Sequence, residues 1–475
     1  MELKSIKISN YRSIEEITFD ILKLDDNTFT YGLIGVNEAG KSTMLKALAL
    51  KDGLKDEKGN VLPLQKDFKD KSKPIELIYH YNLDKEEISQ CKELASTQAT
   101  PIELKGIDLK EIELKIIFNH ANSNQSKTEL NIINIADESE NKIAIQDLLK
   151  KLIVDKTHKA IFWTAEDRYL ISQPINLTQF AATPEDVSIP LRNCFLLTGI
   201  NNIQERITNL AGDSTEVEQL EKELGEKVTE HINTVWPKHP ILITFKIGEG
   251  LINFHVKDLE ATGKAKTADQ RSDGFKQFVS FLLTVSAQNR NDQLSNSILL
   301  LDEPETHLHP QAQEDLLKEL IKITDNKRNN IVFFATHSNY MIDKEDLSRN
   351  FKIKKEKDNT EKEQFDKKIS TYASVTYEVF EIASTDYHNE LYDFLRAQYA
   401  KKINKDLDEV GIKEFDNAFF KQEKKLKTDF PFKEDANKAT LPTYVRNAIH
   451  YPENKDKKFG EHLRNSIKLL KTYEK

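Results

Sequence analysis

The sequence is poor in cysteine and contains no long apolar run. Two cysteines among 475 residues, Cys91 and Cys194, exclude a disulfide framework and a multi-cysteine metal cluster. Because no run of about eighteen apolar residues occurs, we expect no membrane span. The formal net charge of −9 argues against bulk coating of nucleic acid, although it leaves room for a local basic groove. These absences favour a cytoplasmic globular protein, and 38% hydrophobic residues suffice for at least one large core.

A phosphate-binding pattern lies near the start of the sequence. Residues 35–42 fit G-x-x-x-x-G-K-[ST], between a strand-like apolar segment and a segment with helical spacing. In such a loop, backbone N–H groups converge on phosphate oxygens, Lys41 reaches the β- and γ-phosphates, and the Ser42 hydroxyl coordinates Mg²⁺. The sequence therefore predicts an ATP site with Mg²⁺ as its metal. The expected nucleotide contacts from this loop are Asn37, Glu38, Ala39, Gly40, Lys41, Ser42 and Thr43.

Two further apolar segments each end in polar side chains. Residues 297–301 lead into Asp302 and Glu303, and residues 331–336 lead into His337. Both segments are typical of parallel strands buried on two faces, and open α/β sheets bind ligands at the carboxyl ends of such strands. We predict that Asp302 holds Mg²⁺, that Glu303 orients or deprotonates the attacking water, and that His337 senses the γ-phosphate. A histidine that only ends a core strand is the alternative for His337.

A candidate contact across a dimer lies between the two halves of the predicted site. Lys41 and Asp302 are 261 positions apart, which is too far for a compact Ras-like domain. Between them, Ser272 and Gly274 open a helical run that resembles the signature motif of ABC-type ATPases. The motif departs from the usual Leu-Ser-Gly-Gly-Gln at Arg271, Asp273 and Phe275. In that family, the serine and glycine bind the γ-phosphate held by the opposite subunit, so the resemblance implies this role for Ser272 and Gly274.

Other segments narrow the resemblance within the ABC-type ATPases. Residues 301–310 and 335–338 look like the branch that holds the overcoming-lysogenization-defect (OLD) proteins, RecF and the SMC-like repair ATPases. The segment around Arg12 and Ser13 is similar to the same branch. The resemblance implies that Arg12 and Ser13 lie near the nucleotide and that residues 306–309 form a loop that communicates between two heads. It further implies a homodimer or a higher homo-oligomer as the active form.

The expected fold class is α/β, with an ABC-type P-loop ATPase head followed by a mainly helical C-terminal module. We assign residues 1–350 to the head and about 74–240 to an α/β insertion inside it. Residues 351–370 are densely charged and have no apolar period, which predicts a solvated linker. Residues 371–475 show helical spacing and form the predicted interaction module.

The C-terminal region and parts of the head resemble the ATPase subunit (PtuA) of the Septu antiphage systems, which also occurs with some retrons. Four segments carry this resemblance: 163–167, 188–195, 387–392 and 445–454. The resemblance implies a sensor and regulatory ATPase of an antiviral complex. Its expected partner is a separate HNH-type nuclease subunit (PtuB-like), and DNA is a further candidate partner.

A self-contained nuclease is the alternative. An OLD-like Toprim site needs a strand-end glutamate and a later Asp-x-Asp, for which Glu381 and the pair Asp406 and Asp408 are candidates, although the segment before Asp406 does not resemble a buried strand. HEPN-type ribonucleases use an arginine and a histidine a few residues later, as in Arg446 and His450. Here three residues intervene where that family usually has four, but both side chains would share one helix face. A structural helix end is the other interpretation of this pair.

Overall fold

The computed structural model divides the chain into two compact units, Met1–Phe365 and Asp366–Lys475. The structure describes residues 1–24, 26–56, 58–98, 108–134, 142–171, 173–210, 213–235, 240–258, 266–267, 279–281, 283, 295–306, 308, 310–324, 328–365, 371–432, 435–454 and 456–474. Within these residues, the helices are too short or too polar to cross a membrane. Each unit has its own hydrophobic core.

A six-stranded sheet forms the centre of the first unit. Its strands follow the order Asn359–Gln364, Asn350–Glu356, Thr30–Ile34, Ile331–Thr336, Ser297–Asp302 and Lys159–Thr164. All neighbouring strands are parallel except the first pair, which is an antiparallel hairpin. Three of the parallel strands, Thr30–Ile34, Ser297–Asp302 and Ile331–Thr336, are buried along their whole length, as their continuous apolar sequences predict. The predicted α/β fold class is therefore confirmed.

Some helices of the first unit pack against this sheet, and others lie elsewhere in the unit. The helices described in the first unit are Lys41–Ala49, Lys85–Ser96, Lys142–Lys156, Leu177–Ala182, Pro184–Val187, Ile189–Leu197, Ile203–Thr208, Ser214–Val235 and Pro310–Ile323. The helix that follows the phosphate loop, Lys41–Ala49, buries Met44, Leu45 and Leu48 completely or nearly so. It packs against the central strands, and its first residues are thereby fixed at the carboxyl edge of the sheet.

A second sheet corrects the expectation of an insertion at about 74–240. This antiparallel sheet has the strand order Ile14–Asp20, Glu2–Tyr11, Ile75–Asn82, Asp108–Asn119 and Asn122–Asn134. Residues from the supposed insertion therefore pair with the first strands of the chain, and Lys159–Thr164 joins the central sheet. The alternating pattern of Ile75–Asn82 correctly indicates a strand, but strand alternation does not reveal which distant strand is its partner.

The charged segment after residue 350 is a hairpin, not the expected linker. Asn350–Glu356 pairs with Thr30–Ile34 on one side and with Asn359–Gln364 on the other. We call these two strands the edge hairpin. Phe351 and Ile353 point into the core and are almost completely buried, whereas the alternate residues are charged. Two buried apolar side chains are enough to hold a hairpin at the edge of an existing sheet. They are too few, among so many charged residues, to give the alternating pattern by which a strand is predicted from sequence. Residues 366–370 lie outside the described residues.

A small third sheet and its helix complete the first unit. The strand-like pattern over 241–256, with Gly248, Glu249 and Gly250 between its halves, predicts a hairpin. The hairpin consists of Ile241–Gly248 and Leu251–Asp258, with Glu249 and Gly250 at positive φ in the turn. The helical apolar spacing after Ser214 predicts a helix, which is found at Ser214–Val235 and packs on this hairpin. Ile175–Asn176 and Lys266–Thr267 pair with the second hairpin strand.

The second unit is mainly helical, as predicted. Its longer described elements are Tyr372–Phe380, Thr385–Lys402, a π-helix at Asp416–Glu423, Leu441–His450 and Phe459–Lys471, with a short hairpin of Phe430–Phe432 and Asp435–Ala439. The helical spacing over 437–470 predicts helix, and the segment contains a strand end followed by two helices that are separated near Pro452. Proline has no N–H to donate to a helix and restricts the residue before it, so it separates the two helices.

Candidate nucleotide-binding site

The phosphate loop connects the strand Thr30–Ile34 to the helix Lys41–Ala49, as the motif predicts. Gly40 has φ 105°, a conformation that side chains with a Cβ rarely adopt. Gly35 lies so close to the carbonyl oxygen of Ile353 that a Cβ at this position would clash with it. One glycine thus permits the turn into the helix, and the other permits close packing against the edge hairpin.

Lys41 is held over the loop by backbone carbonyls. Its Nζ donates to the carbonyl oxygens of Gly35 at 2.8 Å and Val36 at 3.0 Å, and the residue is only 5% exposed. Burial lowers the pKa of Lys41, and the nearby carboxylates of Glu303 and Asp302 oppose this effect. An ammonium has three donors, so one N–H is left for a phosphate oxygen.

Ser42 and Asp302 form the candidate Mg²⁺ site. The Ser42 hydroxyl donates to Asp302 Oδ1 at 2.8 Å, which joins the helix after the phosphate loop to the end of the strand Ser297–Asp302. Burial raises the pKa of Asp302, and the hydrogen bond from Ser42 opposes the increase. Among the described residues, no three His, Cys, Asp or Glu side chains form a metal cluster. A hydroxyl and one carboxylate fit Mg²⁺, which usually keeps several waters and binds substrate phosphates.

Glu303 and His337 form a second pair beside the phosphate loop. His337 Nδ1 lies 3.0 Å from Glu303 Oε1, and both side chains are partly exposed. The backbone N–H of Glu303 donates to the carbonyl of Ala335 at 3.0 Å, and Glu303 has φ 50°. A glutamate in the left-handed region is uncommon, and such conformations concentrate at functional sites. The turn thus directs Glu303 away from the metal-side carboxylate and toward His337.

Glu305 is a buried part of the site that sequence reasoning missed. It is 2% exposed and accepts a hydrogen bond from the Thr336 hydroxyl, which in turn accepts from the Ser338 backbone N–H at 2.9 Å. Burial raises the pKa of Glu305 to about 7. Ser338 also donates from its hydroxyl to Gln313 at 2.5 Å. This network ties the turn after Asp302 to the turn that carries His337.

A cavity of about 400 Å³ collects these groups at the carboxyl edge of the sheet. Its lining consists of Ser13, Asn37, Glu38, Ala39, Gly40, Lys41, Ser42, Thr43, Glu303, His337 and Lys355. Ten of these eleven positions are candidate site residues from the sequence, and Lys355 on the edge hairpin is the addition. A cavity of about 430 Å³ elsewhere in the first unit has no phosphate-loop residue in its lining. The chemistry of the lining therefore makes the smaller cavity the candidate nucleotide site.

A family model described as an AAA ATPase domain matches residues 1–188 and 196–342. The chain belongs to this ATPase family. The match covers the phosphate loop, both strands with polar ends and Glu305, and it stops before the edge hairpin.

Individual proteins that are similar to this ATPase have low sequence identity to it. An uncharacterized protein of Methanocaldococcus jannaschii, MJECL43, is 26% identical over 132 residues, which are 27% of this chain and 33% of the relative. The chain thus spans about a third of the length of the curated relative it matches. An Smc head bound to the C-winged helix domain of ScpA is 14% identical, with a TM-score of 0.45 over 77% of this chain and 98% of that chain. The Smc head of Pyrococcus furiosus, bound to the C-terminal domain of ScpA, is 11% identical, with a TM-score of 0.42 over 81% of this chain and 100% of that chain.

Arg12 is absent from the lining of the cavity, and other predicted site residues of the ATPase lie outside the described residues. Arg12 lies beside Ser13, but its Nε donates to Asp67 Oδ1 at 2.9 Å, and it is absent from the lining. Ser272 and Gly274 lie outside the described residues, as do His307 and His309 of the expected communicating loop. Their contact with a second copy stays a prediction.

The nuclease candidates lie in the second unit. Glu381 follows the helix Tyr372–Phe380 and has a left-handed conformation, and Asp406 and Asp408 lie at a short 3₁₀ turn, so neither element has the strand-end placement that a Toprim site needs. The OLD-like alternative is therefore wrong for these residues.

The other nuclease candidate is the HEPN-like pair of Arg446 and His450. Arg446 and His450 share a face of the helix Leu441–His450, and Arg446 donates to Asn447 Oδ1 at 3.3 Å. Partial burial lowers the pKa of His450, and Arg446 lowers it further, whereas Asp393 raises it. Arg446 thus acts on His450 electrostatically, and the catalytic role of the pair stays a prediction.

Proposed function

We propose that this ATPase binds ATP with Mg²⁺ in the cavity beside the phosphate loop and hydrolyses it to control a separate nuclease in antiphage defence. The convergence of Lys41, Ser42, Glu303 and His337 on one cavity carries the proposal. Ser42 is hydrogen-bonded to Asp302, and Glu303 is hydrogen-bonded to His337. The site therefore has separate groups for phosphate binding, metal binding and activation of water.

Different residues of the site have different roles in phosphoryl transfer. Backbone N–H groups of the loop and Lys41 bind the phosphates. Mg²⁺ bound beside Ser42 and Asp302 would supply neutralisation of the phosphate charge. Glu303 orients the attacking water and accepts its proton, while His337 keeps the carboxylate in position and contacts the γ-phosphate. Glu305 holds the turn that carries Glu303, because its hydrogen bond to Thr336 connects the two strand ends.

A second copy completes the site in this proposal. Ser272 and Gly274 of one subunit would bind the γ-phosphate at Lys41 of the other, by resemblance to the signature motif of ABC-type ATPases. Ser272→Arg should therefore abolish hydrolysis, as should Lys41→Ala. Mixing the two variants should restore part of the activity, since one site of a mixed dimer has both intact halves. Phosphate release measured after proven subunit exchange tests this, and no recovery in any mixture would contradict the head-to-tail dimer.

The nuclease partner is proposed from the resemblance to Septu ATPase subunits. The second unit supports it with large apolar side chains left exposed, including Phe394 at 45% and Tyr451 at 50%. Exposed aromatic side chains are enriched where proteins bind other proteins. Deleting residues 371–475 should therefore abolish binding of the proposed HNH-type nuclease subunit, while the remaining head retains ATP binding. Capture that survives the deletion would place the contact on the head.

A ribonuclease is the second candidate function. It is favoured by the shared helix face of Arg446 and His450 and by the carboxylate of Asp393, which acts on His450. If the chain is a ribonuclease, the purified protein would cleave RNA without a partner, and Arg446→Ala would end the cleavage. Absence of RNA cleavage by the protein alone would leave the regulatory ATPase as the function.

A further inference from the structure

The edge hairpin brings to the cavity a cation that no ATPase motif in the sequence supplies. Lys355 lines the cavity together with the phosphate loop, and its side chain is exposed. Within the part of the chain that the structure describes, the side chain of Lys355 has no hydrogen bond and no ion pair. Its neighbour Lys354 differs, because it is paired with Glu356 at 2.5 Å and Glu361 at 3.5 Å. Lys355 is thus left available to a ligand in the cavity.

The tip of the hairpin is fixed to the other side of the cavity. Thr360 lies opposite Lys355 in the strand register, and its backbone N–H donates to the Ser13 carbonyl at 2.9 Å. The hydroxyls of Thr360 and Ser13 are 2.7 Å apart. Next to Thr360, the Asn359 side chain accepts from Lys69 Nζ at 2.9 Å. The backbone that carries Lys355 is therefore held in place without a ligand, which lowers the entropy cost of binding.

The hairpin also contacts both ends of the phosphate loop. A Cβ at Gly35 would clash with the carbonyl oxygen of Ile353, and a Cβ at Gly40 would clash with the side chain of Thr360. At its base, Arg349 is 1% exposed and pairs with Asp343 at 2.8 Å. These contacts hold the backbone of the hairpin beside the loop by packing, so Lys355 lies in the same site as the loop.

The charges of the lining show what Lys355 can bind. Among the described lining residues, Lys41 and Lys355 are the lysines, and Glu38 and Glu303 are the carboxylates. A triphosphate is strongly anionic, and a lysine ammonium binds phosphate as a compact point charge. We propose that Lys355 binds the phosphate chain of ATP within the same subunit, as a second lysine beside Lys41. This inference rests on the proposed ATP site, and it concerns a hairpin that lies beyond the family match.

Equilibrium binding of a fluorescent ATP analogue to the full-length protein tests the inference. Lys355→Ala should raise the Kd by roughly ten- to a hundredfold, because one charge-assisted contact is lost. Lys355→Arg should keep most of the affinity, because it keeps the charge. Lys357→Ala is the matched control, since Lys357 lies at the turn of the same hairpin and does not line the cavity. Its Kd should equal that of the unsubstituted protein.

Three results would overturn the inference. A Kd of Lys355→Ala within twofold of the unsubstituted protein, while Lys41→Ala weakens binding, would remove Lys355 from the site and leave the proposed ATP site intact. Equal weakening by Lys355→Ala and Lys357→Ala would indicate only a general effect of charge. Absence of ATP binding by the unsubstituted protein would refute the proposed function itself, and the inference with it. Circular dichroism of each variant shows whether it is folded.

Discussion

In the first unit, Glu303 and His337 face a cavity, whereas in the second unit Asp416 and His388 are enclosed by their own partners. Glu303 and His337 contact each other and remain partly exposed. Asp416 is 1% exposed and accepts hydrogen bonds from Thr440 at 2.5 Å and Thr443 at 2.6 Å. A carboxylate and an imidazole are therefore open to a ligand in the first unit, whereas in the second unit they are enclosed and serve packing.

The enclosed groups of the second unit are also bound by their own hydrogen bonds and ion pairs. Burial lowers the pKa of His388 to about 3, so the ring is neutral at physiological pH and only shares a hydrogen bond with Ser466 at 2.8 Å. Asp416 also pairs with Lys421 at 3.0 Å. Oδ1 of this carboxylate thus accepts from both hydroxyls, and Oδ2 has Lys421 as its ion-pair partner. The comparison teaches that access to a cavity, more than burial of polar groups, marks the functional site of this protein.

The largest expected effect is on the chemistry of the first unit. Glu303→Gln should lower ATP hydrolysis by roughly 10²–10⁴-fold, because an amide cannot accept the proton of the attacking water. Binding of ATP should persist, since Lys41 and the Ser42–Asp302 pair are unchanged. Phosphate release and equilibrium nucleotide binding measure the two effects separately. Glu345→Gln, on an exposed site outside the cavity, is the control, and an unchanged rate in Glu303→Gln would exclude the proposed role.

The matching substitution in the second unit should affect stability and leave nucleotide binding alone. Asp416→Ala removes a buried carboxylate and leaves Thr440, Thr443 and Lys421 without it, which costs roughly 3–5 kcal/mol of local stability. Hydrogen exchange in the helices of the second unit should accelerate accordingly, while exchange in the first unit stays the same. The exposed Asp408→Ala serves as the control. Loss of ATP binding in Asp416→Ala would contradict the separation between the two roles.

The smallest expected effect is a pH dependence that comes from Glu305. Its pKa is raised from 4.5 to about 7 by burial, so the folded chain binds more protons than the unfolded chain between these values. The free energy of unfolding should therefore fall as the pH rises through this window, by an amount on the order of 3 kcal/mol. Denaturant unfolding at several pH values should show this decrease, and Glu305→Gln should remove it. An identical pH dependence in both proteins would assign the effect to other groups.

Much of the nucleotide site could be predicted because its motifs are local in sequence. The loop at 35–42 has its fixed spacing, and Asp302, Glu303 and His337 each follow a continuous apolar strand. Since parallel strands of one sheet end at the same edge, these three positions had to approach each other once the sheet formed. The expected chemistry of these side chains could therefore be inferred from the short motifs alone, without the rest of the sequence.

The parts that the sequence did not reveal depend on contacts between distant segments. The edge hairpin appeared to be a linker because its charges hide two core residues, Phe351 and Ile353. Only its pairing with Thr30–Ile34 shows that it is part of the sheet and places Lys355 at the cavity. Likewise, no local pattern distinguishes Glu305, which is buried against Thr336, from an exposed glutamate in a turn.

The sequence by itself predicted an ATPase and the candidate phosphate, metal and water-activating groups, because strand period and loop spacing are properties of short segments. Tertiary structure alone decided the order of strands, the burial of Glu305 and Asp416, and the approach of the edge hairpin to the phosphate loop. Pairing and burial depend on which surfaces meet, and residues more than three hundred positions apart, such as Ser13 and Thr360, meet only in the folded chain.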